Sequence, residues 1–248
     1  CIKCSPGEFN NVAGAVRCKL CLNTTYFGGK GRNSSCFDCP IGWSSEDGSA
    51  KCIVCGAGTY GIGCEVCNVG QYRTSDMNAT ECAQCPIGFS QSDEGQASCI
   101  KCSPGEFNDV AGAVRCKLCM NTTYFGGKGR NSSCIDCPIG WSSEDGSAKC
   151  VACGAGTFGQ GCKNCPVGFA RSGEDDTTQC QECNRGLTTT TSGAALCSGC
   201  DVGTYGTSNG TCTVCPPNHY QDTRGQHTCK TCAVTGEKPN AKHTACAK

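Results

Sequence analysis

Apolar residues in this chain recur neither at the spacing of an amphipathic helix nor in the long alternating runs of a broad sheet. They come singly and in a fixed place. Thirteen of the sixteen aromatics lie four or five residues after the second cysteine of a C-x-x-C pair, from Phe9, Tyr26 and Trp43 to Tyr205 and Tyr220. The third residue after each pair is usually glycine, as at Gly7, Gly42, Gly58 and Gly70. Glycine takes positive φ at little cost, so this slot calls for a left-handed or tight-turn backbone. Turn signals follow, such as Glu46-Asp47-Gly48, Asp93-Glu94-Gly95 and Ser208-Asn209-Gly210. Together these features predict a short, irregular β-hairpin loop in each unit, with its aromatic covering a neighbouring disulfide.

The cysteine pairs set the longer organisation. Between successive pairs lie 13, 14, 12, 8, 14 and 13 residues, and from Cys102 the same six gaps recur as far as Cys197. A unit of about 16 residues is thus nested in a super-repeat of 98. Three segments follow: 1–98 and 99–196, with six cysteine units each, and a partial, divergent third, 197–248. Residues 1–67 and 99–165 differ at only 9 of 67 positions. Such periodicity predicts an elongated tandem-repeat rod of about 15 units, each touching mainly its neighbours. The ending Cys246-Ala-Lys248 stops short of another pair and reads as a slice of a longer protein.

Composition explains how such a chain holds a shape. Cysteine supplies 31 of 248 residues, whereas Ile, Leu, Val and Phe together supply 33. Burial of apolar surface is therefore too small to order the chain, and a disulfide scaffold takes its place. Lys+Arg and Asp+Glu number 21 each, which removes the electrostatic case for nucleic acid or an anionic membrane. No run approaches the length of a membrane span in this segment. The cysteines place the protein outside the cell, secreted or at the cell surface.

The pattern C-x-x-G-x-[FY], a short loop and C-x-x-C resembles the ephrin-receptor-like cysteine-rich repeat. It is also similar to the simplest loop module of tumour-necrosis-factor receptors. Cys4-Ser5-Pro6-Gly7-Glu8-Phe9 to Cys18 carries the resemblance, as do Cys85-Pro86-Ile87-Gly88-Phe89 to Cys99 and Cys102 to Cys116. Two features depart from it: Thr24 and Thr122 stand in the glycine slot, and the loops Cys55–Cys64 and Cys153–Cys162 hold only 8 residues.

Sequence leaves two disulfide pairings open. Self-closed loops would pair Cys4–Cys18, Cys21–Cys36, Cys39–Cys52, Cys55–Cys64, Cys67–Cys82, Cys85–Cys99, Cys102–Cys116 and Cys119–Cys134. They would continue through Cys137–Cys150, Cys153–Cys162, Cys165–Cys180, Cys183–Cys197, Cys200–Cys212, Cys215–Cys229 and Cys232–Cys246. That pairing leaves only Cys1, with a partner upstream, and is the preferred reading. Crossed pairing, Cys1–Cys18 with Cys4–Cys21, would strand Cys232 instead. Each bridge is worth up to about 3 kcal/mol in the chain-entropy account.

Several sharper chemistries compete. Paired C-x-x-C is also zinc spacing, but the 8-residue gaps, the shortage of Lys/Arg and the glycosylation signals argue against a metal. Thioredoxin-like redox chemistry lacks its scaffold. Sequons stand at Asn23, Asn33, Asn78, Asn121, Asn131 and Asn209, where N-linked glycans are expected. Thr188-Thr189-Thr190-Thr191-Ser192 is either an O-glycan site or a polar loop tip. His219, His227 and His243 read as solvated, Glu46-Asp47 and Glu144-Asp145 lack calcium-loop spacing, and Lys30-Gly31-Arg32 and Lys128-Gly129-Arg130 are short for a basic patch. No catalytic set is visible and no cofactor is implied, so an enzyme is not expected. The reading is an extracellular, glycosylated structural repeat protein: a segment of a filament, stalk or surface coat that self-associates. The alternative is a ligand-binding receptor ectodomain or cysteine-rich surface antigen, with 197–248 and its Pro216-Pro217 as the divergent binding patch.

Overall fold

The computed structural model describes residues 3–31, 33–233 and 236–247; Cys1 and Arg32 lie outside them. Among the described residues there is no helix. Thirty short strands of these residues, β1 (Glu8–Phe9) to β30 (Cys246–Ala247), pair into fifteen two-stranded antiparallel sheets. In every hairpin but the last, residues after the glycine slot pair with the two residues inside the next C-x-x-C; the last pairs Lys238–Pro239 with Cys246–Ala247. Thus β1 lies against β2 (Lys19–Leu20), with Glu8 opposite Leu20 and Phe9 opposite Lys19. The amide of the second cysteine prolongs this pairing: Cys21 N donates to Gly7 O at 2.8 Å, and the series of fourteen such bonds among the described residues ends with Cys232 N to Asn218 O at 3.0 Å.

Each loop is closed on itself by one disulfide, from Cys4–Cys18 through Cys55–Cys64 and Cys153–Cys162 to Cys232–Cys246. Among the described residues there are fifteen, and none joins one loop to the next. The buried interior is mainly sulfur. Cys21, Cys67, Cys85, Cys102, Cys119 and Cys165, each the second of its pair, are inaccessible to solvent or nearly so, while partners such as Cys18 and Cys36 are half-buried.

The aromatics do less burying than the sequence suggests. They are half-buried, and Trp43 and Trp141 are 40 % exposed. A two-residue hairpin is too narrow to enclose a ring, and several rings lean on the residue directly opposite. Phe89 faces Lys101, Phe107 faces Lys117 and Tyr220 faces Lys230, each ammonium lying 5.7–5.9 Å from the ring centre.

Backbone bonds join loop to loop. The amide in the glycine slot donates to the carbonyl of the sixth residue after the next loop's opening cysteine: Gly58 N to Arg73 O, 2.7 Å; Gly70 N to Gln91 O, 2.7 Å; Gly105 N to Phe125 O, 2.7 Å. Turn glycines reach back to a cysteine carbonyl of the preceding loop, as Gly48 N to Cys21 O and Gly95 N to Cys67 O. Contact is not confined to nearest neighbours, as the repeat pattern alone suggests. Gly7 abuts the carbonyl of Gly48, and Gly58 that of Gly95, two loops further on. The described residues fall into two compact units, one within 1–119 and 125–134, the other within 120–124 and 135–248. The same bonding pattern runs within each.

The two departures noted in the sequence are one structural feature. Thr24 and Thr122 adopt the left-handed backbone of the slot, with φ of 64° and 67°. Their side chains fit because the loop two places on is the short one. A Cβ on Gly63 or Gly161, at the crest of those short loops, would stand 3.1 or 3.2 Å from the threonine Cγ2. The short loop leaves the space that a threonine fills, but the backbone strain persists. Replacing Thr24 with glycine is therefore expected to stabilise this loop by up to about 1 kcal/mol. Slower hydrogen exchange at the Cys39 amide, which is bonded to Thr24 O at 2.7 Å, reports it; unchanged or faster exchange contradicts the strain argument.

Candidate functional site

In eight loops the sixth residue after the opening cysteine builds the polar interior. Ser45, Arg73, Gln91, Asn108, Ser143, Arg171, Thr189 and Gln221 all occupy this position, and they are the buried polar side chains of the described residues. Their polar atoms face backbone that the short hairpins leave unpaired. Ser45 Oγ donates to Thr25 O at 2.8 Å, Asn108 Nδ2 to Phe89 O at 2.7 Å, and Gln91 Nε2 to Ser98 O at 2.8 Å. No buried side-chain nitrogen or oxygen among the described residues lacks a partner. Composition gave no sign of this layer, because Ser, Thr, Asn and Gln are also ordinary loop residues.

Arg73 and Arg171 are the extreme case, 1 % and 0 % exposed. Arg73 donates from Nε to Thr59 O at 2.5 Å, from Nη2 to Cys55 O at 2.6 Å and to Gly56 O, and from Nη1 to Met77 O at 2.8 Å. Arg171 repeats this on Thr157, Cys153, Gly154 and Asp175. The loop Cys67–Cys82 has no turn glycine, so no amide reaches Cys55 O as Gly95 N reaches Cys67 O. The guanidinium supplies the missing donors, and its planar fork satisfies several carbonyls at once.

The outer surface is polar and carries the modification signals. Asn23, Asn33, Asn78, Asn121, Asn131 and Asn209 are all exposed. Asn23 and Asn121 sit just before the strained threonines, their amides held by Asp47 Oδ1 at 2.7 Å and Asp145 Oδ1 at 2.6 Å. Thr188 and Thr189 belong instead to the hydrogen-bonded interior, since Thr188 Oγ1 donates to Gly210 O at 2.6 Å and Thr189 Oγ1 accepts from Gly168 N at 2.8 Å. Thr190 and Thr191 are exposed. Leu22, Ile41, Trp43 and Ile53 are exposed, and so are their counterparts Met120, Ile139, Trp141 and Val151. Each super-repeat thus offers much the same apolar residues to solvent.

The remaining candidates gather no chemistry. Among the described residues no group of three or more His, Cys, Asp or Glu is placed to hold a metal ion. His227 is exposed; His219 and His243 are half-buried, with Nδ1 of each against a backbone oxygen, Pro217 O at 2.9 Å and His219 O at 3.1 Å. Three surface ion pairs, Lys117–Asp109, Arg224–Asp201 and Lys230–Asp222, involve well-exposed partners and add little stability. The Lys117 hydrogen bond holds the Asp109 carboxyl below its usual range, and Asp222 holds the Lys230 ammonium above its own. No helix among the described residues is long and apolar enough to cross a membrane.

Comparison with known proteins points the same way as the geometry. The family described as "Tyrosine-protein kinase ephrin type A/B receptor-like" matches residues 73–119, 88–129 and 203–246. The chain is 31 % identical over 196 residues to "Signal peptide, CUB and EGF-like domain-containing protein 3" of Mus musculus, covering 78 % of this chain and 17 % of that protein. It is 29 % identical over 170 residues to "Sushi, von Willebrand factor type A, EGF and pentraxin domain-containing protein 1" of Rattus norvegicus, covering 65 % of this chain and 4 % of that one. A third relative is "Proprotein convertase subtilisin/kexin type 6" of Homo sapiens, 31 % identical over 108 residues, 40 % of this chain and 11 % of the relative. The chain therefore spans less than a fifth of these relatives' lengths.

Proposed function

Since the chain carries ephrin-receptor-like cysteine-rich repeats of an extracellular protein, we propose that it is a glycosylated structural segment of a filament, stalk or surface coat. The observation that carries this reading is the way each loop is closed. A pull along the chain crosses each loop through its disulfide, a Cα–Cα step of 5.1–5.8 Å. It then crosses three peptide steps to the next bridge, about 10 Å at full stretch. The rest of every loop lies outside the covalent load path, so tension reaches a ceiling before the loops unravel. Repeated backbone bonds between loops, which need no particular side chain, let such units be multiplied. The exposed sequons support N-linked glycans at Asn23, Asn33, Asn78, Asn121, Asn131 and Asn209, which would keep a chain with so little apolar interior soluble.

A receptor reading rests on a groove of about 620 Å³ where the second super-repeat meets the divergent third segment, lined by Val167, Thr188, Ser198, Asp201 and Arg224. One experiment on native material separates the two. Antibody against this chain is expected to label an extracellular fibre, stalk or coat in immunogold electron microscopy, and peptide mass mapping of that material to find the sequon asparagines glycosylated. Label confined to a dispersed plasma-membrane receptor, or bare asparagines throughout, overturns the structural reading.

A further inference from the structure

The zero net charge conceals a strong segregation of sign. Residues 1–37 carry five cations against one carboxylate, Glu8. Residues 38–98 carry eight carboxylates against Lys51 and Arg73. Residues 99–135 return to five cations against Glu106 and Asp109, and residues 136–196 to seven carboxylates against four cations. The sign thus alternates with the same 98-residue period as the cysteines. All eight carboxylates of 38–98 are exposed, while Arg73, one of the two cations there, is buried among carbonyls and shows no charge to solvent.

The balancing charge is present in the chain, but among the described residues little of it is paired within it. The ion pairs of the described residues, Lys117–Asp109, Arg224–Asp201 and Lys230–Asp222, all lie in the basic stretches or the divergent third segment. No carboxylate of 38–98 among them is paired with a cation. Arg17, Lys19, Lys30, Arg115 and Lys128 are likewise exposed and unpaired. In sequence, an offset of half the 98-residue repeat brings 38–98 of one copy opposite 1–37 of a second, and 136–196 opposite 99–135. We propose that copies of this chain bind one another through these stretches, the acidic loops of 38–98 and 136–196 against the basic loops of 1–37 and 99–135 of a second copy. The inference rests on the structural reading above and supplies its cohesive force.

Charge-driven association has a specific signature. The screening length is about 30 Å at 0.01 M salt and about 3 Å at 1 M, so the protein is expected to sediment at twofold or greater mass at the lower salt and as monomer at the higher. Two reversed variants sharpen the test. One carries Glu46→Lys, Glu65→Lys, Glu81→Lys and Glu94→Lys; the other Arg17→Glu, Lys19→Glu, Lys30→Glu, Arg115→Glu and Lys128→Glu. None of these side chains bonds within the fold, and non-reducing mass analysis verifies that both variants keep their disulfides. Each variant alone is expected to stay monomeric at low salt, and an equimolar mixture to associate. A monomeric wild-type protein at low salt, association that survives 1 M salt, or a mixture that stays dispersed overturns the proposal. Those results leave immunogold labelling of an extracellular structure untouched, so failure here is distinct from failure of the structural reading.

Discussion

Replacing Arg73 with methionine is expected to open the loops Cys55–Cys64 and Cys67–Cys82 while leaving the loops beyond Cys102 as they are. Methionine matches much of the arginine's length but offers no donor. Thr59 O, Cys55 O, Gly56 O and Met77 O would lose their side-chain partner together. Leaving several buried acceptors unpaired costs about 3–5 kcal/mol, after allowance for water reaching some of them. Hydrogen exchange resolved by peptide is the right measurement, because a repeat array with local bonding has no single unfolding free energy. Exchange at the Cys67 amide, which is bonded to Gly58 O at 2.8 Å, should rise by about a hundredfold or more. Arg73→Lys should recover only part, since an ammonium is a compact donor without the planar fork. Arg171→Met serves as an internal replicate: it should act on Cys153–Cys162 and Cys165–Cys180 alone. Unchanged exchange in both variants would mean that the guanidinium merely fills space.

This arginine marks where sequence reading stops. The hairpin class, the repeat length and the exposed sequons were legible because cysteine, glycine and Asn-x-Ser/Thr announce their roles locally. Self-closed and crossed disulfides were both open on spacing, and the structure contains the self-closed set. What was not legible depends on contacts between loops. Thr24 and the short loop Cys55–Cys64 looked like two separate irregularities, since nothing in a linear repeat says that loops two apart touch. The sixth-residue position was harder still. Serine, threonine, asparagine, glutamine and arginine share no hydropathy or size, only the capacity to donate to a carbonyl. A signal was present in retrospect: Arg73 and Arg171 recur 98 residues apart in a stretch that otherwise keeps little but its cysteines.

Substituting alanine for Gly58 should be among the most damaging single changes outside the cysteines, and its contrast with Gly61→Ala isolates the cause. Both glycines have positive φ, 76° and 73°. A Cβ on Gly61 meets nothing within 4 Å, whereas one on Gly58 would overlap the carbonyl oxygen of Gly95 in the loop two places on. Gly61→Ala therefore carries only the left-handed backbone cost, about 1–2 kcal/mol. Gly58→Ala adds a collision with main chain, which cannot rotate away as a side chain could. The Gly95 turn is itself held, its amide bonded to Cys67 O at 2.8 Å, so relief requires separating the loops. The expected result is a secreted yield near wild type for Gly61→Ala and near zero for Gly58→Ala, with misbridged species under non-reducing electrophoresis. Gly14→Ala, also at positive φ and facing open space, should behave like Gly61→Ala. Equal yields for Gly58→Ala and Gly61→Ala would show that φ alone governs the slot and that the packing of next-but-one loops contributes nothing to folding.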